Sequence, residues 1–337
     1  YWQLLPLGPV AASRAFSPYS TWSDKAGNIQ LISLELLEDW GLLPARHAQQ
    51  TVGSLPGADF YNADFLKRNA LEQAYQVFRQ QGKHTALQQE FTAFKQTEHY
   101  WLSDYALYCS LSVAYQGSWR SWPEEFKWRD KVALETYQSE YATALEQYEW
   151  EQFVFWKQWH LLRRYAKQRE VSIIGDLPFY IDLDAVEVWC NPRYFLLDEE
   201  GSPLFQAGVP PDYFNKSGQR WGMPVYNWEK IAEQEYSWWI DRISYQLSKV
   251  DELRLDHFRA FSAFYQIPQN DTDARNGSWK KAPGDAMLTA LQQKIGKLPL
   301  IAEDLGEITK EVYELMEKFH LPGMKVLQFA FGEDMPR

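Results

Sequence analysis

The sequence is poor in cysteine, with Cys109 and Cys190 the two present among 337 residues. Two thiols cannot form a disulfide framework and are typical of a reducing compartment, so we expect a cytoplasmic protein. No run approaches the roughly 20 apolar residues that a membrane-spanning helix needs. The first residues also lack the charged-then-apolar pattern of a signal peptide. The sequence therefore predicts a soluble protein that has no membrane partner.

Basic residues are outnumbered, because 34 Lys and Arg against 45 Asp and Glu give a net charge of -11. Such a surface repels phosphate backbones and anionic lipid heads. Nucleic acid is therefore a poor candidate partner. The sequence has neither a G-x-G-x-x-G nor a G-x-x-x-x-G-K-[ST] phosphate loop. Its six histidines are too dispersed for a local zinc motif. We therefore predict no metal and no other cofactor.

Short apolar runs bounded by Gly and Pro alternate with helical stretches along the chain. The runs lie at residues 2–7, 171–174, 253–255, 298–302 and 324–331. Alternation of buried strands with helices is typical of a parallel α/β sheet. A chain of this length can bury one large core or two ordinary ones. The sequence therefore predicts the α/β class.

Long helical segments replace this alternation between residues 60 and 168. Leu71, Tyr75 and Phe78 illustrate the apolar spacing of three and four that marks amphipathic helices. We predict an inserted helical subdomain at 60–168, between a first part of the sheet at 1–59 and its continuation at 169–337. Strand-like flanks around residues 198–201 predict a small hairpin within a loop insertion near 190–228.

Three of the strand-like runs end in a carboxylate, namely Asp176, Asp256 and Glu303. In a parallel barrel all strand carboxyl ends emerge on one face, so these three acids would converge there. Any one of them could instead cap the helix that follows, with about even odds. All three acting as caps is a weaker explanation, so we predict an acid–base site on that face.

Arg254 and Asp256 point the same way because side chains two apart on a strand share a face. A guanidinium beside a carboxylate favours its ionised form, so we predict a low pKa for Asp256 and a nucleophilic or charge-stabilising role. A purely structural ion pair is the alternative. Glu303 follows an apolar run, where partial desolvation would suit it as general acid and base. Two acids with different roles indicate glycosyl transfer.

Two of these strand ends resemble the catalytic motifs of the amylomaltase family, also called 4-α-glucanotransferases or disproportionating enzymes. They are RLDHFR at 254–259 and AEDLG at 302–306. Further similarities follow in the same order, with WQLLPLGP at 2–9, SPYS at 17–20, AGN at 26–28, IGDLP at 174–178, GVPPDYF at 208–214 and GQRWG at 218–222. Because the matches run through almost the whole chain in order, the resemblance is specific even though no single motif is.

The resemblance implies a (β/α)8 barrel with helical and loop insertions. It also implies a retaining double displacement on α-1,4-linked glucans, without a metal. Asp256 is similar to the family's nucleophile and Glu303 to its acid and base, while Arg254 supports the nucleophile. The implied partners are maltooligosaccharides and α-1,4-glucans of starch or glycogen. The implied compartment is the cytoplasm, or a plastid if the source is a plant or an alga.

The resemblance also implies residues that bind the substrate. Asp176 matches an acidic position near the scissile sugar, and Tyr19 matches a ring that packs on that sugar. Trp221 lies in a loop over the glucan groove, and Tyr213 is a further candidate ring. For Trp221 and Tyr19 the alternative is ordinary packing. His257, beside Asp256, is a candidate contact to a ligand hydroxyl or, about equally, a packed barrel histidine.

The family's third catalytic carboxylate lies in a later His-Asp motif, beyond the strand that corresponds to residues 324–331. We therefore expect that the last barrel strands are missing from this chain. Residue 1 is Tyr rather than Met, and strand-like runs lie at both ends, at 2–7 and 324–331, so we expect the natural protein to be longer at both ends. We also expect the 337-residue piece alone to be inactive or poorly folded. Two rival functions are an α-glucan hydrolase of the α-amylase type and a non-catalytic glucan-binding protein.

Overall fold

A computed structural model describes residues 1–47, 59–80, 82–212 and 215–327. Its first sheet is parallel and has the order β1–β2–β5–β8. These strands are β1 (Trp2–Gln3), β2 (Ile173–Pro178), β5 (Glu252–Asp256) and β8 (Leu300–Ala302). The four runs that predict them are thus confirmed as strands. β1 is shorter than predicted, although the Leu4 N–H continues its ladder to the Ile174 carbonyl.

Buried aliphatic side chains hold the parallel sheet, as its composition predicts. Leu253 and Leu255 of β5 are 0% and 1% exposed, so the alternate residues of this strand face the core. The register pairs Asp176 with Arg254 and Leu255 with Ala302. The polar carboxyl ends of β2, β5 and β8 therefore lie side by side at one edge of the sheet.

The α-helices surround this sheet and fill the long insertion. They are α1 (Leu34–Asp39), α2 (Phe60–Phe78), α3 (Thr85–Tyr115), α4 (Glu124–Lys127), α5 (Lys131–Glu140), α6 (Ala142–Gln168), α7 (Val186–Cys190), α8 (Trp228–Ala232), α9 (Ser237–Lys249), α10 (Gly284–Ile295) and α11 (Lys310–Lys318). The helical segments predicted between residues 60 and 168 are present as α2 to α6. No helix in the described ranges is long and apolar enough to cross a bilayer.

Helix α6 connects the helical insertion to the segment that precedes it. Gln152 accepts the Gly27 N–H at 2.6 Å and donates to the Gly27 carbonyl at 3.0 Å. Gln158 forms the same pair of bonds with Ser33, at 2.7 and 3.0 Å. A Cβ at Gly27 would overlap the ring of Phe155, so this close approach requires glycine. The insertion is therefore fastened to the chain that follows β1.

A second sheet, which is antiparallel, has the order β4–β3–β6–β7. Its strands are β3 (Phe205–Val209), β4 (Gln219–Pro224), β6 (Ala263–Pro268) and β7 (Ser278–Lys281). The predicted turn near residues 198–201 is present, since the Asp198 N–H donates to the Ser202 carbonyl. The sequence did not indicate that β6 and β7 extend the same sheet from outside residues 190–228.

The predicted strand at residues 324–331 is not formed where the structure describes it. Residues 324–327 have no strand pairing, and the Met324 N–H donates to the Asp304 carboxylate instead of to a neighbouring strand. Residues 328–331 lie outside the described residues. The prediction is therefore wrong for its first half, because a side chain takes the donor that a β-ladder would use.

Candidate active site

Arg254 holds two carboxylates at the carboxyl ends of β2 and β5. Its Nη1 lies 2.7 Å from Asp176 Oδ1, and its Nη2 lies 2.6 Å from Asp256 Oδ1. The Asp176 side chain is 1% exposed, whereas that of Asp256 is 28% exposed. Of the two acids, Asp256 is therefore the one that can meet a ligand.

Tyr19 completes the surroundings of Asp176. It lies in a 3-10 turn (Pro18–Ser20) and donates its hydroxyl to Asp176 Oδ2 at 2.7 Å. Burial raises the pKa of Tyr19 above its ordinary value, and the hydrogen bond to Asp176 raises it further. Both oxygens of Asp176 thus accept protein donors, which places Asp176 as an anchor between Tyr19 and Arg254.

Glu303 follows β8 and faces the corner that follows β5. Its Oε2 accepts the backbone N–H of His257 at 3.0 Å, and its Oε1 accepts that of Leu305 at 2.8 Å. His257 has a left-handed backbone with φ of 56°, so the chain turns sharply directly after Asp256. The Glu303 N–H continues the ladder to the Leu255 carbonyl. Glu303 and Asp256 therefore end neighbouring strands on the same face.

The alternative of helix capping does not describe these acids. Asp176 and Asp256 bond to Arg254, and Glu303 bonds to backbone N–H groups of a strand corner and of its own loop. The structure thus brings Asp176, Arg254, Asp256 and Glu303 together as predicted.

The predicted low pKa of Asp256 is wrong. Loss of water around its carboxyl raises the pKa to about 6, and Asp176 and Glu303 add to the rise, whereas Arg254 opposes it. One guanidinium serves two carboxylates here, so its charge does not offset the desolvation of Asp256. Asp256 is still mainly ionised at pH 7.

Aromatic rings form one side of this site. Trp221 in β4 lies half-buried, with its ring centroid 5.0 Å from that of His257 in an edge-on arrangement and 5.9 Å from that of Tyr180. His257 Nε2 and the Tyr180 hydroxyl are buried and find no hydrogen-bond partner within the described ranges. Desolvation lowers the pKa of His257 to about 4, so its imidazole is neutral at pH 7. Unpaired buried polar atoms of this kind are uncommon in folded proteins, which makes His257 a candidate partner for a polar ligand.

Three residues near the site were missed by the sequence analysis. Tyr180 follows β2 by two residues, Asp304 follows Glu303 directly, and Met324 lies 3.2 Å from Arg254 Nε through its sulfur. Only Asp304 carried a usable signal, namely a second acid within the AEDLG motif. The predicted ring Tyr213 lies outside the described residues.

Comparisons with known proteins show the family to which this chain belongs. Residues 1–337 match the family model described as 4-alpha-glucanotransferase. The 4-alpha-glucanotransferase of Synechocystis sp. is 42% identical over 99% of this chain and 66% of its own length. That of Aquifex aeolicus is 43% identical over 98% of this chain and 66% of its own length. The chain thus spans about two thirds of the length of these relatives.

A solved structure extends the similarity to three dimensions. The amylomaltase from Streptococcus agalactiae in complex with acarbose superposes with a TM-score of 0.92 and 34% identity. The match covers 98% of this chain and 67% of that one. It confirms the predicted α/β barrel fold, of which the four parallel strands form part of the wall. The chain belongs to the 4-α-glucanotransferase family, whose members are also known as amylomaltases.

Proposed function

We propose that the chain carries the catalytic face of a 4-α-glucanotransferase, which moves segments of α-1,4-glucan to glucose or to another glucan. The observation that carries this proposal is the pairing of two unlike acids. Asp256 lies beside Arg254, whereas Glu303 lies on the next strand end, with no cation in salt-bridge distance among the described residues, and accepts the His257 N–H. This arrangement suits one acid for attack and the other for proton transfer.

The reaction is a double displacement with retention. Glu303 protonates the glycosidic oxygen of the donor while Asp256 attacks the anomeric carbon, which gives a covalent glycosyl enzyme and a released shorter glucan. Glu303 then takes the proton of an acceptor hydroxyl as that oxygen displaces Asp256. Arg254 occupies Asp256 Oδ1, so Oδ2 is the attacking atom.

The surrounding side chains bind the substrate. Tyr19 packs its ring on the reacting sugar while its hydroxyl anchors Asp176. His257, whose neutral imidazole lies beside Trp221, is the candidate contact to a sugar hydroxyl, and Trp221 stacks on a neighbouring glucose unit. Tyr213 supplies a further ring. Aromatic subsites favour a sugar acceptor over water, because they bind it and shield the intermediate.

The substrates are maltooligosaccharides and longer α-1,4-glucans, with neither nucleic acid nor a membrane as partner. The cytoplasm is the compartment we propose, or a plastid in a plant or alga. Antibody detection of the protein in fractionated cells tests this location, since recovery with the membrane or secreted fraction contradicts it.

Incubation of the natural full-length protein with maltotriose tests the activity. We expect a ladder of longer oligosaccharides together with glucose. Glucose and maltose without elongation would instead identify a hydrolase. If the protein binds glucan without turnover, and Asp256→Ala binds it equally well, the protein is a binding protein. Asp285→Asn, which changes an exposed carboxylate paired with Lys318, is the matched control that keeps full activity.

A further inference from the structure

The Nε atom of the Arg254 guanidinium has a partner that takes no part in the proposed reaction. Nη1 and Nη2 hold Asp176 and Asp256, and Nε lies 3.2 Å from Met324 Sδ. A thioether is a weak but polarisable acceptor, and the Arg254 side chain that it contacts is only 12% exposed. Because Nη1, Nη2 and Nε all have partners, these contacts favour one orientation of the guanidinium plane.

Met324 is itself fixed by the residue that follows Glu303. Its N–H donates to Asp304 Oδ1 at 2.7 Å. Gly323 approaches the same carboxyl so closely that a Cβ there would lie 2.5 Å from Asp304 Oδ2. One residue earlier, the Pro322 carbonyl accepts the Ala302 N–H of β8 at 2.9 Å. The segment 322–324 is therefore attached to the strand end that carries Glu303.

These contacts form a continuous path between the two acids. Asp304 is covalently next to Glu303 and holds Met324 by its backbone, while the Met324 side chain meets the arginine that touches Asp256. We propose that Asp304 and Met324 are positioning residues, which orient the Arg254 guanidinium toward Asp256 and tie that orientation to the loop of Glu303. The proposal rests on the proposed function of this site.

The physical reason lies in the competition between the two carboxylates. Asp176 is the more buried partner of Arg254. A guanidinium that has lost its Nε contact with Met324 can therefore turn toward Asp176 and away from Asp256. Asp256 would then lose the charge that opposes its desolvation. A less ionised and less ordered nucleophile attacks more slowly, whereas substrate contacts elsewhere are unchanged.

Met324→Leu in the natural full-length protein tests this, because leucine keeps the volume and removes the acceptor. We expect kcat for maltotriose to fall about tenfold while KM stays within about twofold. The acidic limb of the kcat/KM profile should move to higher pH, because the pKa of Asp256 rises and its carboxyl stays protonated up to a higher pH. Met324→Gln, which restores an acceptor at similar reach, should recover most of the loss.

Met287→Leu is the matched control, because Met287 is fully buried in α10, a helix that carries none of the residues assigned to the site. The same exchange there should alter thermal unfolding at most and leave the pH profile in place. A Met324→Leu protein with wild-type kcat, or with reduced kcat and an unmoved acidic limb, overturns the proposal.

Asp304 provides a second pair of variants if Met324→Leu does not fold. Asp304→Asn keeps an oxygen that accepts the Met324 N–H, whereas Asp304→Ala removes it. We expect Asp304→Ala to show the fall in kcat and the moved acidic limb, and Asp304→Asn to show much less of both. Equal profiles in the two variants contradict the proposal. A wild-type protein that forms no ladder from maltotriose refutes the proposed function instead, so the two failures are distinguishable.

Discussion

Arg242 and Arg254 both contact residues at the end of β2, but they differ in how far their acidic partners are exposed to solvent. Arg242 of α9 pairs with Asp24 and donates to the Pro178 and Phe179 carbonyls. Its side chain is 3% exposed and that of Asp24 is 5% exposed, so this pair is closed. Arg254 also binds a buried acid, but it holds Asp256 as well, whose side chain is 28% exposed.

From this difference we predict that the Arg242 pair is structural and that the Arg254 pair is functional. Nε, Nη1 and Nη2 of Arg242 each donate to a protein atom, and neither Arg242 nor Asp24 is open to solvent. Arg254 presents a carboxylate to the open face instead. Sequence spacing could pair Arg254 with Asp256 but could not show how exposed that pair is, and it gave no sign of the pair between Arg242 and Asp24, which are 218 residues apart. We therefore expect changes at Arg242 to affect stability and changes at Arg254 to affect catalysis.

The largest effect is expected at the exposed acid. Asp256→Asn should lower kcat about 10⁴-fold, because the nucleophile of the double displacement is removed. Asp24→Asn is the counterpart in the closed pair and should lower the melting temperature while the folded fraction keeps its activity. The rate of maltotriose disproportionation and calorimetric unfolding of both variants check this. Substantial turnover by Asp256→Asn contradicts the mechanism.

Exchange of each arginine for lysine sharpens the comparison. Arg254→Lys should reduce kcat about 10²-fold with a small change in unfolding, because lysine cannot hold two carboxylates at once. Arg242→Lys should cost on the order of 3 kcal/mol in the free energy of unfolding, since Asp24 is left buried with unpaired oxygen atoms. Urea titration and kinetics of the two proteins measure the contrast. Equal loss of stability in both would show that the two pairs have the same role.

The pH dependence should report the pKa of Asp256. In the proposed mechanism Asp256 attacks in its ionised form, so kcat/KM should fall as the pH drops through about 6. The sign for stability is opposite: burial raises the pKa of Asp256 in the folded state, so its contribution to stability is present at low pH and is lost as the pH rises through 6. Asp256→Asn should therefore gain stability relative to wild type at pH 7 and not at pH 4. A loss of stability at pH 7 contradicts this assignment.

The smallest effect is expected at the aromatic side of the site. Trp221→Ala should raise KM for maltotriose about tenfold and increase the share of hydrolysis, because one ring that binds the acceptor is removed. Trp128→Ala is a matched control, since Trp128 is 42% exposed and packs edge-on against Trp119 in the helical insertion. If both variants behave alike, Trp221 serves in packing only.

The sequence predicted the strand ends well because two periodic rules apply there. Side chains two apart on β5 share a face, and parallel strands end together, so Arg254, Asp256 and Glu303 could be grouped before any coordinates. These rules could not predict the raised pKa of Asp256. Arg254 is shared between Asp256 and Asp176, and its contact with Asp176 depends on the β2–β5 register. The roles given to these residues stay predictions.

Other features depend on contacts between segments far apart in the chain. Met324 reaches Arg254 from 70 residues away, and no local pattern marks such a contact. The antiparallel sheet was missed for a similar reason, since β3 pairs with β6 across an intervening helix pair and β5. The division into residues 1–59, 60–168 and 169–337 also stays a prediction.

The glutamines of α6 have a consequence for anyone who redesigns this protein. Gln152 and Gln158 bind peptide groups of Gly27 and Ser33 much as an adjacent strand would. The segment they hold begins shortly after Tyr19. Shortening the helical insertion to obtain a smaller protein would therefore loosen the segment that follows Tyr19, and sequence changes in the two parts should be correlated among relatives.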